Sequence, residues 1–377
     1  MQKIIILLSV AVVWSCSSGK KQLQRGNYST SIEQAVKRLQ NSPNNKKAQT
    51  TLREAYALAH QKNLRSISNQ KSSNGRFKWD QIASSYDQMN WMYDKIWQCP
   101  ACLKVIPNPK NYKNEYNEAS TLAAEERYSA GITELRKGSR EAAKEAFYHF
   151  ERAQYLKPNY KDTPQKMAEA REDATLKVLL DQIPVHSRRF GLTHEFFQNR
   201  IYEFLDKNKL SEFVRFYSPT EAQRSGLDQP DHIVVMQFDD FVVGQTYVKE
   251  KTKDYTQDSI VVGQVEVEGA PKNVYGKVKA EFTTFSKYLD SKGLLDMKIY
   301  DGRTDRILFQ RKMPGQYQWL SEWATFKGDE RALTDEQLEL AKLREAPSPE
   351  PQFLFAQFSG LIYDQVSNHL RNFYRKY

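Results

Sequence analysis

The chain has 377 residues, of which 40% are hydrophobic and 27% are charged, and its formal net charge is +10. A chain of this size and apolar content can bury a sizeable core, and we expect it to divide into at least two domains. Its basic residues are spread along the sequence without a dense block or a nucleic-acid-binding signature, which argues against a nucleic-acid partner.

The N-terminal segment carries the signature of export. Lys3 precedes an apolar run from Ile4 to Val13, which is followed by Trp14-Ser15-Cys16. A basic start, a short apolar core and a small residue before the cleavage point predict a secretory signal peptide over residues 1–15. The apolar core, at about ten residues, is too short to cross a bilayer as a helix.

Residues 13–16 resemble the lipobox of bacterial lipoproteins. That resemblance implies that Cys16 becomes the first residue of the mature protein and carries fatty acyl groups such as palmitate. The alternative is an ordinary secretory signal with an incidental cysteine. Residues 16–24 are mostly polar and predict a lipidated tether. No run of around 18 apolar residues follows Cys16, so we expect membrane attachment through the lipid and no transmembrane helix.

Residues 25–173 predict a helical domain. Small and apolar residues recur at helical spacing in Ser31–Leu39, in Ala48–Tyr56 and in a third segment that runs from Trp79 to Trp97. The third segment is apolar over much of its circumference, which favours a helix packed between neighbours.

The end of this region resembles a tetratricopeptide repeat. The residues that carry the resemblance stand at the repeat's spacing and are Gly131, Gly138, Ala146, Phe150, Ala153 and Pro158. Small residues let two antiparallel helices approach, the phenylalanine fills the gap and the proline ends the second helix. The pattern predicts a helical solenoid of tetratricopeptide type, and a plain helical bundle is the alternative.

Cys99 and Cys102 are the two cysteines left after the lipid site. In an oxidising envelope they are expected to form a local disulfide or to remain structural thiols. A redox role requires the first cysteine at a helix N-terminus, whereas the pair follows a helical pattern and is predicted at a helix C-terminal end. No histidine or further cysteine lies nearby to complete a metal site.

Residues 174–377 predict an α/β domain. The predicted strands are Leu176–Leu180 with Ile183–Val185, Phe213–Tyr217, a strand within Asp231–Val248, and alternating stretches around Val278–Phe282 and Leu295–Ile299. The turn Asp301–Asp305 predicts a hairpin. Helices are expected over Phe190–Leu210 and after Pro351, where one stripe carries Leu354, Phe358, Ile362, Val366, Leu370 and Phe373. These elements indicate a sheet with helices packed on it.

The segment from Pro314 to Arg331 gathers aromatic residues, mixed charges and two glycines, and it matches neither a regular strand nor a helix. Its main interpretation is a structured loop that folds its tryptophans over the sheet. The alternative is a recognition surface of Tyr317, Trp319, Trp323 and Arg331, since these residue types are enriched at binding hot spots.

The motifs of common enzyme classes are missing from the sequence. It has no H-E-x-x-H, G-x-S-x-G, P-loop or G-x-G-x-x-G pattern, and the carboxylates of Asp239 and Asp240 are expected on opposite faces of a strand. We therefore predict no catalytic residues, no metal and no cofactor, and we expect a protein that is not an enzyme.

The order of elements after residue 174 resembles the periplasmic domain of the curli-secretion lipoproteins and of the lipoproteins that activate penicillin-binding proteins. The residues that carry this resemblance are the lipobox and the segment from Met297 to Phe309. In the curli family long hairpins assemble into a membrane pore, which needs strands with one apolar face. The candidate hairpin between Gln245 and Gly276 carries charges in Lys249–Asp254 and Gln264–Glu268 that argue against lipid-facing strands.

The sequence thus predicts an outer-membrane-anchored lipoprotein that faces the periplasm. Its expected function is that of a scaffold that binds a protein partner in envelope assembly or secretion. The alternatives are a subunit of an oligomeric curli-type secretion channel and a thiol oxidoreductase that uses the C-x-x-C pair.

Overall fold

A computed structural model of the chain describes residues 19–182 and 195–377. The chain divides into two units between Ala174 and Thr175. The first unit is built of helices and the second contains a mixed sheet with helices packed on it, which confirms the predicted fold class.

The described residues of the first unit form consecutive helices joined by short connections. In chain order they are α1 (Lys20–Gln24), α2 (Tyr28–Asn41), α3 (Lys46–Lys71), α4 (Lys78–Trp97), α5 (Pro100–Val105), α6 (Lys113–Leu135), α7 (Arg140–Leu156) and α8 (Thr163–Ala174).

Helix α4 is central to this unit, as its apolar circumference predicts. It packs against α3 on one side and α6 on the other, and Ile82, Met89 and Ile96 are almost completely buried. These three residues recur every seven positions, so they lie along one line of the helix, and this line is buried.

A charged cluster joins α4 to the next helix pair. The carboxylate of Asp80, which is 5% exposed, accepts hydrogen bonds from the guanidinium of Arg127 on α6 at 2.7 Å and from that of Arg152 on α7 at 2.6 Å. Burial raises the pKa of Asp80, but the two arginines outweigh burial and hold that pKa below its usual value. The cluster therefore fixes α4 against α6 and α7 as long as the carboxyl is ionised.

The second unit contains five strands among its described residues. Its elements are β1 (Leu176–Leu180), α9 (Glu195–Lys207), β2 (Val214–Tyr217), α10 (Pro219–Ser225), β3 (His232–Val267), β4 (Ala270–Asp301), β5 (Ile307–Gly328), a 3-10 helix (Glu330–Ala332), α11 (Asp335–Lys342) and α12 (Pro351–Tyr374).

The strand order is β2-β1-β3-β4-β5. β1 is parallel to both β2 and β3, and it borders β3 only at His232–Val234. β3, β4 and β5 form an antiparallel meander in which β3 and β4 pair from His232 opposite Asp301 to Val267 opposite Ala270. The β4–β5 hairpin and the predicted hairpin between Gln245 and Gly276 are both confirmed.

Helix α12 covers one face of this sheet together with α9. The predicted stripe from Leu354 to Leu370 is buried there, and Phe373 is partly buried beside it. Gly293 and Gly315, which are register partners on β4 and β5, let the helix approach closely. A Cβ atom at Gly315 would lie 2.4 Å from the backbone oxygen of Phe358.

Three expectations need qualification. β3 continues to Val267, well beyond the predicted end near Val248, because its pairing with β4 does not require an apolar pattern. The predicted strand residues Ile183–Val185 lie outside the described residues. So does the first part of the helix predicted over Phe190–Leu210, which is described from Glu195 to Lys207.

We predict that Asp80→Asn lowers the free energy of unfolding of the helical unit by about 2–3 kcal/mol at pH 7, because two arginines lose their anionic partner. The pKa of the Asp80 carboxyl is lower in the folded protein than in the unfolded protein, where it is about 3.9. The ion pair therefore contributes fully to stability above the unfolded pKa, and this contribution is lost as the pH falls through the folded pKa. The difference between wild type and variant is therefore expected to shrink below about pH 4.

The measurement is urea unfolding of the full chain followed by helical circular dichroism at several pH values. Asp87→Asn, on an exposed position of the same helix, is the matched control and is expected to change little. A wild-type-to-Asp80→Asn difference that stays constant down to pH 3 would contradict the role assigned to the ion pair.

Candidate interaction surfaces

Cys99 and Cys102 form a disulfide bond, with an S–S distance of 2.11 Å. The prediction that the pair lies at a helix C-terminal end is wrong: α4 ends at Trp97, Cys99 is the N-cap of α5, and Pro100 is the first residue of that helix. Proline is favoured in the first turn of a helix because the backbone N–H groups of that turn have no acceptor within the helix, so the N–H that proline lacks costs nothing there.

Both sulfur-bearing residues are completely buried. A thiolate from a substrate must reach a disulfide sulfur to attack it, and this one is covered by the core of the helical unit. The geometry therefore supports a structural bond that holds the first turn of α5 and gives no support to a thiol oxidoreductase.

The repeat-like residues lie on α6 and α7. Gly131 faces Phe150 so closely that a Cβ atom there would lie 2.7 Å from the phenyl ring, and Ala146, Phe150 and Ala153 are completely buried. Gly138 has a different role from the predicted packing role. It has a φ of +65° in the turn between the helices, with open space around it, so conformation and not packing requires glycine there.

Pro158 follows the end of α7 at an exposed position, where its ring cannot continue a helix. The α6–α7 pair thus has the close approach of two antiparallel helices that the spacing predicts. Its assignment to the tetratricopeptide class stays a prediction.

The interpretation of Pro314–Arg331 as a loop is wrong. Most of this segment belongs to β5, where Pro314 pairs with Leu294 and Gly328 with Ala280. Proline is tolerated because β5 is an edge strand, whose outward N–H groups need no partner in the sheet. The alternation typical of a strand was hard to recognise here, because the segment contains two glycines and because its aromatic residues lie on a partly exposed strand.

The four residues of the predicted recognition surface do not form one exposed patch. Tyr317 and Trp319 pack against the main core beneath α12, and Trp323 stacks on Phe285 with ring centroids 5.4 Å apart. Arg331 lies beyond the strand in the 3-10 helix, where it bonds to Asp329 and to the backbone of β3.

The predicted hairpin between Gln245 and Gly276 forms a ribbon of β3 and β4 that projects beyond β5, and this projection was not predicted. The two strands continue past the end of β5, and every residue from Val261 to Tyr275 is exposed. Their connection is a two-residue turn at Glu268 and Gly269, which both have positive φ, as a type I′ hairpin turn requires. A lone two-stranded ribbon buries little surface of its own.

The register gives the ribbon one apolar face. Opposite residues of an antiparallel pair share a face, so Val265, Val267 and Val274 lie on the same side, opposite Lys272, Ala270 and Gly263 respectively. Val262 joins them, since its side chain contacts the position where a Cβ of Gly276 would stand. The other face is mixed: it carries the exposed Val261 and Tyr275 at the base of the ribbon, and nearer the tip the side-chain amide of Gln264 donates a 2.9 Å hydrogen bond to Asn273.

The base of the ribbon is fixed by the segment that follows β5. Val278, Ala280 and Phe282 of β4 form a small core with Ala332 and Leu333. The guanidinium of Arg331 donates a 2.6 Å hydrogen bond to the carbonyl of Val261, beside a bulge in β3.

The same guanidinium donates to Asp329, and these hydrogen bonds lower the pKa of Asp329 to about 2. The carboxylate is therefore ionised over the whole physiological range and keeps the arginine aimed at the ribbon.

A polar cleft of about 740 Å³ lies beside α9 at the carboxyl ends of β1 and β2. Its polar groups bond to one another: Gln198 donates to the Tyr202 hydroxyl, and Ser218 and Glu221 form a capping box on α10. We assign no ligand to it. Within residues 19–182 and 195–377, no group of three or more potential metal ligands and no helix able to span a membrane is found.

We predict that Arg331→Ala speeds amide exchange in the ribbon. Loss of the bond to Val261 frees the base of a two-stranded element, so residues 261–270 are expected to exchange about threefold to tenfold faster. Hydrogen–deuterium exchange of the full chain measures this, with Arg306→Ala at the other end of the sheet as control. Unchanged exchange in the ribbon would show that Arg331 does not brace it.

No protein-family profile and no curated protein matches this chain. Among solved structures, it is similar to the crystal structure of a neuraminyllactose-binding hemagglutinin homolog from Helicobacter pylori. The two are 10% identical, the match covers 54% of this chain and 91% of the other, and the TM-score is 0.25. A similarity this low carries no argument about function.

Proposed function

We propose that this protein is an outer-membrane-anchored lipoprotein that faces the periplasm and acts as a protein-binding scaffold in envelope assembly or secretion. The lipobox-like segment ending at Cys16 supports the anchor. The observation that carries the binding role is the β3–β4 ribbon, whose exposed valines form an apolar face with nothing packed on it among the described residues of the sheet unit. Contiguous exposed apolar surface of this kind marks interaction sites.

The helical unit offers further contact residues. Tyr148 and Tyr155 lie seven residues apart on α7 and are 47% and 66% exposed. This spacing puts both rings on one side of the helix, and the Arg152 guanidinium stacks over the Tyr155 ring at 4.8 Å. Tyrosine and arginine side chains are enriched at binding hot spots, so α7 is a second place for a partner to dock.

The anchor is tested by Cys16→Ala in the full-length precursor. Without its acylated residue the protein is expected to move from the membrane fraction to the soluble fraction of the envelope, because a lipid chain is the attachment proposed. Fractionation and immunoblotting measure the shift, with Ser17→Ala as the matched control. A Cys16→Ala protein that still sediments with membranes would show that the anchor is elsewhere.

The docking role is tested by placing a photo-crosslinking side chain on the ribbon of the membrane-bound protein. A probe at Val265, on the valine-bearing face, is expected to yield discrete protein adducts, whereas one at Glu266, on the opposite face of the ribbon tip, yields few. The two positions are neighbours and both are exposed, so the comparison isolates the face. Equal adducts from both sites would mean that the apolar face does not select a partner.

The curli-type channel subunit is a second candidate, because the register removes part of the argument against it. Glu266 points away from Val265 and Val267, so its charge does not interrupt the apolar face. That face runs only from Ile260 to Val267, however, and it includes Lys272, whereas a spanning strand needs about 9–11 residues. A discrete ring in detergent by light scattering would favour the channel over the scaffold.

A further inference from the structure

The outer edge of β3 between Gln245 and Gln257 is an open strand edge. β1 leaves β3 after Val234, and no described strand borders this side of β3 beyond that point. Bulges interrupt β3 just before Gln245 and just after Gln257, while between them its pairing with β4 is unbroken. This window, roughly 40 Å long at about 3.4 Å per residue, presents a regular row of backbone donors and acceptors.

The window is accessible on both faces. Every residue from Gln245 to Asp254 is exposed. α12 meets β3 near Gly244 and the 3-10 helix meets it near Val261, while near the far end of the window Tyr255 packs against the small core of Val278, Ala280 and Phe282. An added strand would therefore meet open backbone and no obstructing element of the described sheet unit.

The side chains of the window are sorted by charge. Lys249, Lys251 and Lys253 alternate along the strand and so share one face. The Lys249 ammonium lies 5.2 Å from the centre of the Tyr288 ring, and that of Lys253 lies 5.0 Å from the Tyr255 ring, which places both on that face. None of the three lysines forms a salt bridge within the described residues.

The opposite face carries the acidic residues. Glu250 and Asp254 lie there, and Asp254 stands directly across from Glu281 of β4. Thr252 and Thr283 hydrogen-bond to each other between them at 2.9 Å. The strand edge therefore has a cationic side and an anionic side, separated by the plane of the sheet.

This pattern disfavours pairing with a second copy of the same edge. In an antiparallel pair centred on Lys251, each lysine would stand opposite a lysine, and like charges directly opposite each other are destabilising. The same lysines favour a strand that carries acids at alternate positions. Alternate residues of any extended peptide repeat at about 6.8 Å, the spacing of the three lysines.

We propose that the β3 edge from Gln245 to Gln257 binds, as an added strand, an extended peptide with acidic side chains at alternate positions. Backbone hydrogen bonds would supply affinity, and the three lysines would set the register by pairing with the acids. The non-acidic residues of the peptide would lie beside Glu250 and Asp254, where threonine or lysine fits. The inference rests on the proposed scaffold function, since it names the chemistry of a partner segment.

The test is fluorescence anisotropy of labelled synthetic peptides with the full mature chain. One peptide alternates Glu and Thr over the length of the window, and the other has the same composition with all Glu in one block. We expect the alternating peptide to bind about tenfold more tightly than the block peptide, because only it aligns an acid with each lysine. A proline at its centre is expected to abolish binding, since it removes a backbone donor.

Lys251→Glu is expected to weaken the alternating peptide about tenfold and to improve binding of a Lys–Thr alternating peptide. Lys279→Glu, on the opposite face of β4, is the matched control and is expected to leave both affinities unchanged. Equal affinities for alternating and block peptides, or equal effects of the two variants, would overturn the proposal. If the alternating peptide does not bind, the lysines serve only to prevent this edge from pairing with another strand, and the proposal is wrong.

The two proposals fail separately. Selective crosslinking at Val265 without peptide binding would leave the scaffold function intact and remove the β3 edge as its site. Peptide binding without selective crosslinking at Val265 would support the edge and argue against the apolar face.

Discussion

The pairing of β3 with β4 is the constraint on which the second unit depends. β4 is regular along its whole length and pairs with β3 on one side and β5 on the other, while the β3 bulges add residues to β3 alone. β4 thereby fixes which side chains of both neighbours face α12 and which face solvent. The buried stripe of α12, the ribbon beyond β5 and the open edge of β3 all follow from this one register.

The ribbon has to be held at its base, because two strands alone bury too little surface to be stable. The chain after β5 does this with a small apolar core and with the charge-assisted bond from Arg331 to Val261. The helical unit solves a similar problem with Asp80, whose carboxylate joins three helices. In both units an arginine held by an aspartate bonds elements that lie far apart in sequence: Arg127 and Arg152 through Asp80 itself, and Arg331 through the backbone carbonyl of Val261.

Much of the architecture is predictable from local patterns. The stripe from Leu354 to Leu370 predicts α12, and the turn at Asp301–Asp305 predicts the β4–β5 hairpin. Both can be recognised because the periods of helices and strands appear within short stretches of sequence. The continuation of β5 from Pro314 onwards was missed because Pro314 and Gly315 look like loop residues, although an edge strand and a close helix accommodate them. The capping role of Cys99 was missed because α5 is too short to show a period.

The amino-acid sequence is enough to establish the order of the helical and sheet units, the alternation of Lys249, Lys251 and Lys253, and the lipobox-like segment at Cys16, since each depends only on residues close together in the chain. The side on which Val262 lies depends on tertiary structure: it shares a face with those lysines, although simple alternation would put it on the opposite face, while Val265 returns to the face that alternation predicts. Bulges between Gln257 and Ile260 and between Val261 and Gly263 shift the strand by one residue twice. A bulge exists only relative to a partner strand, so pairing with β4, and not the local pattern, sets the surface that this protein presents.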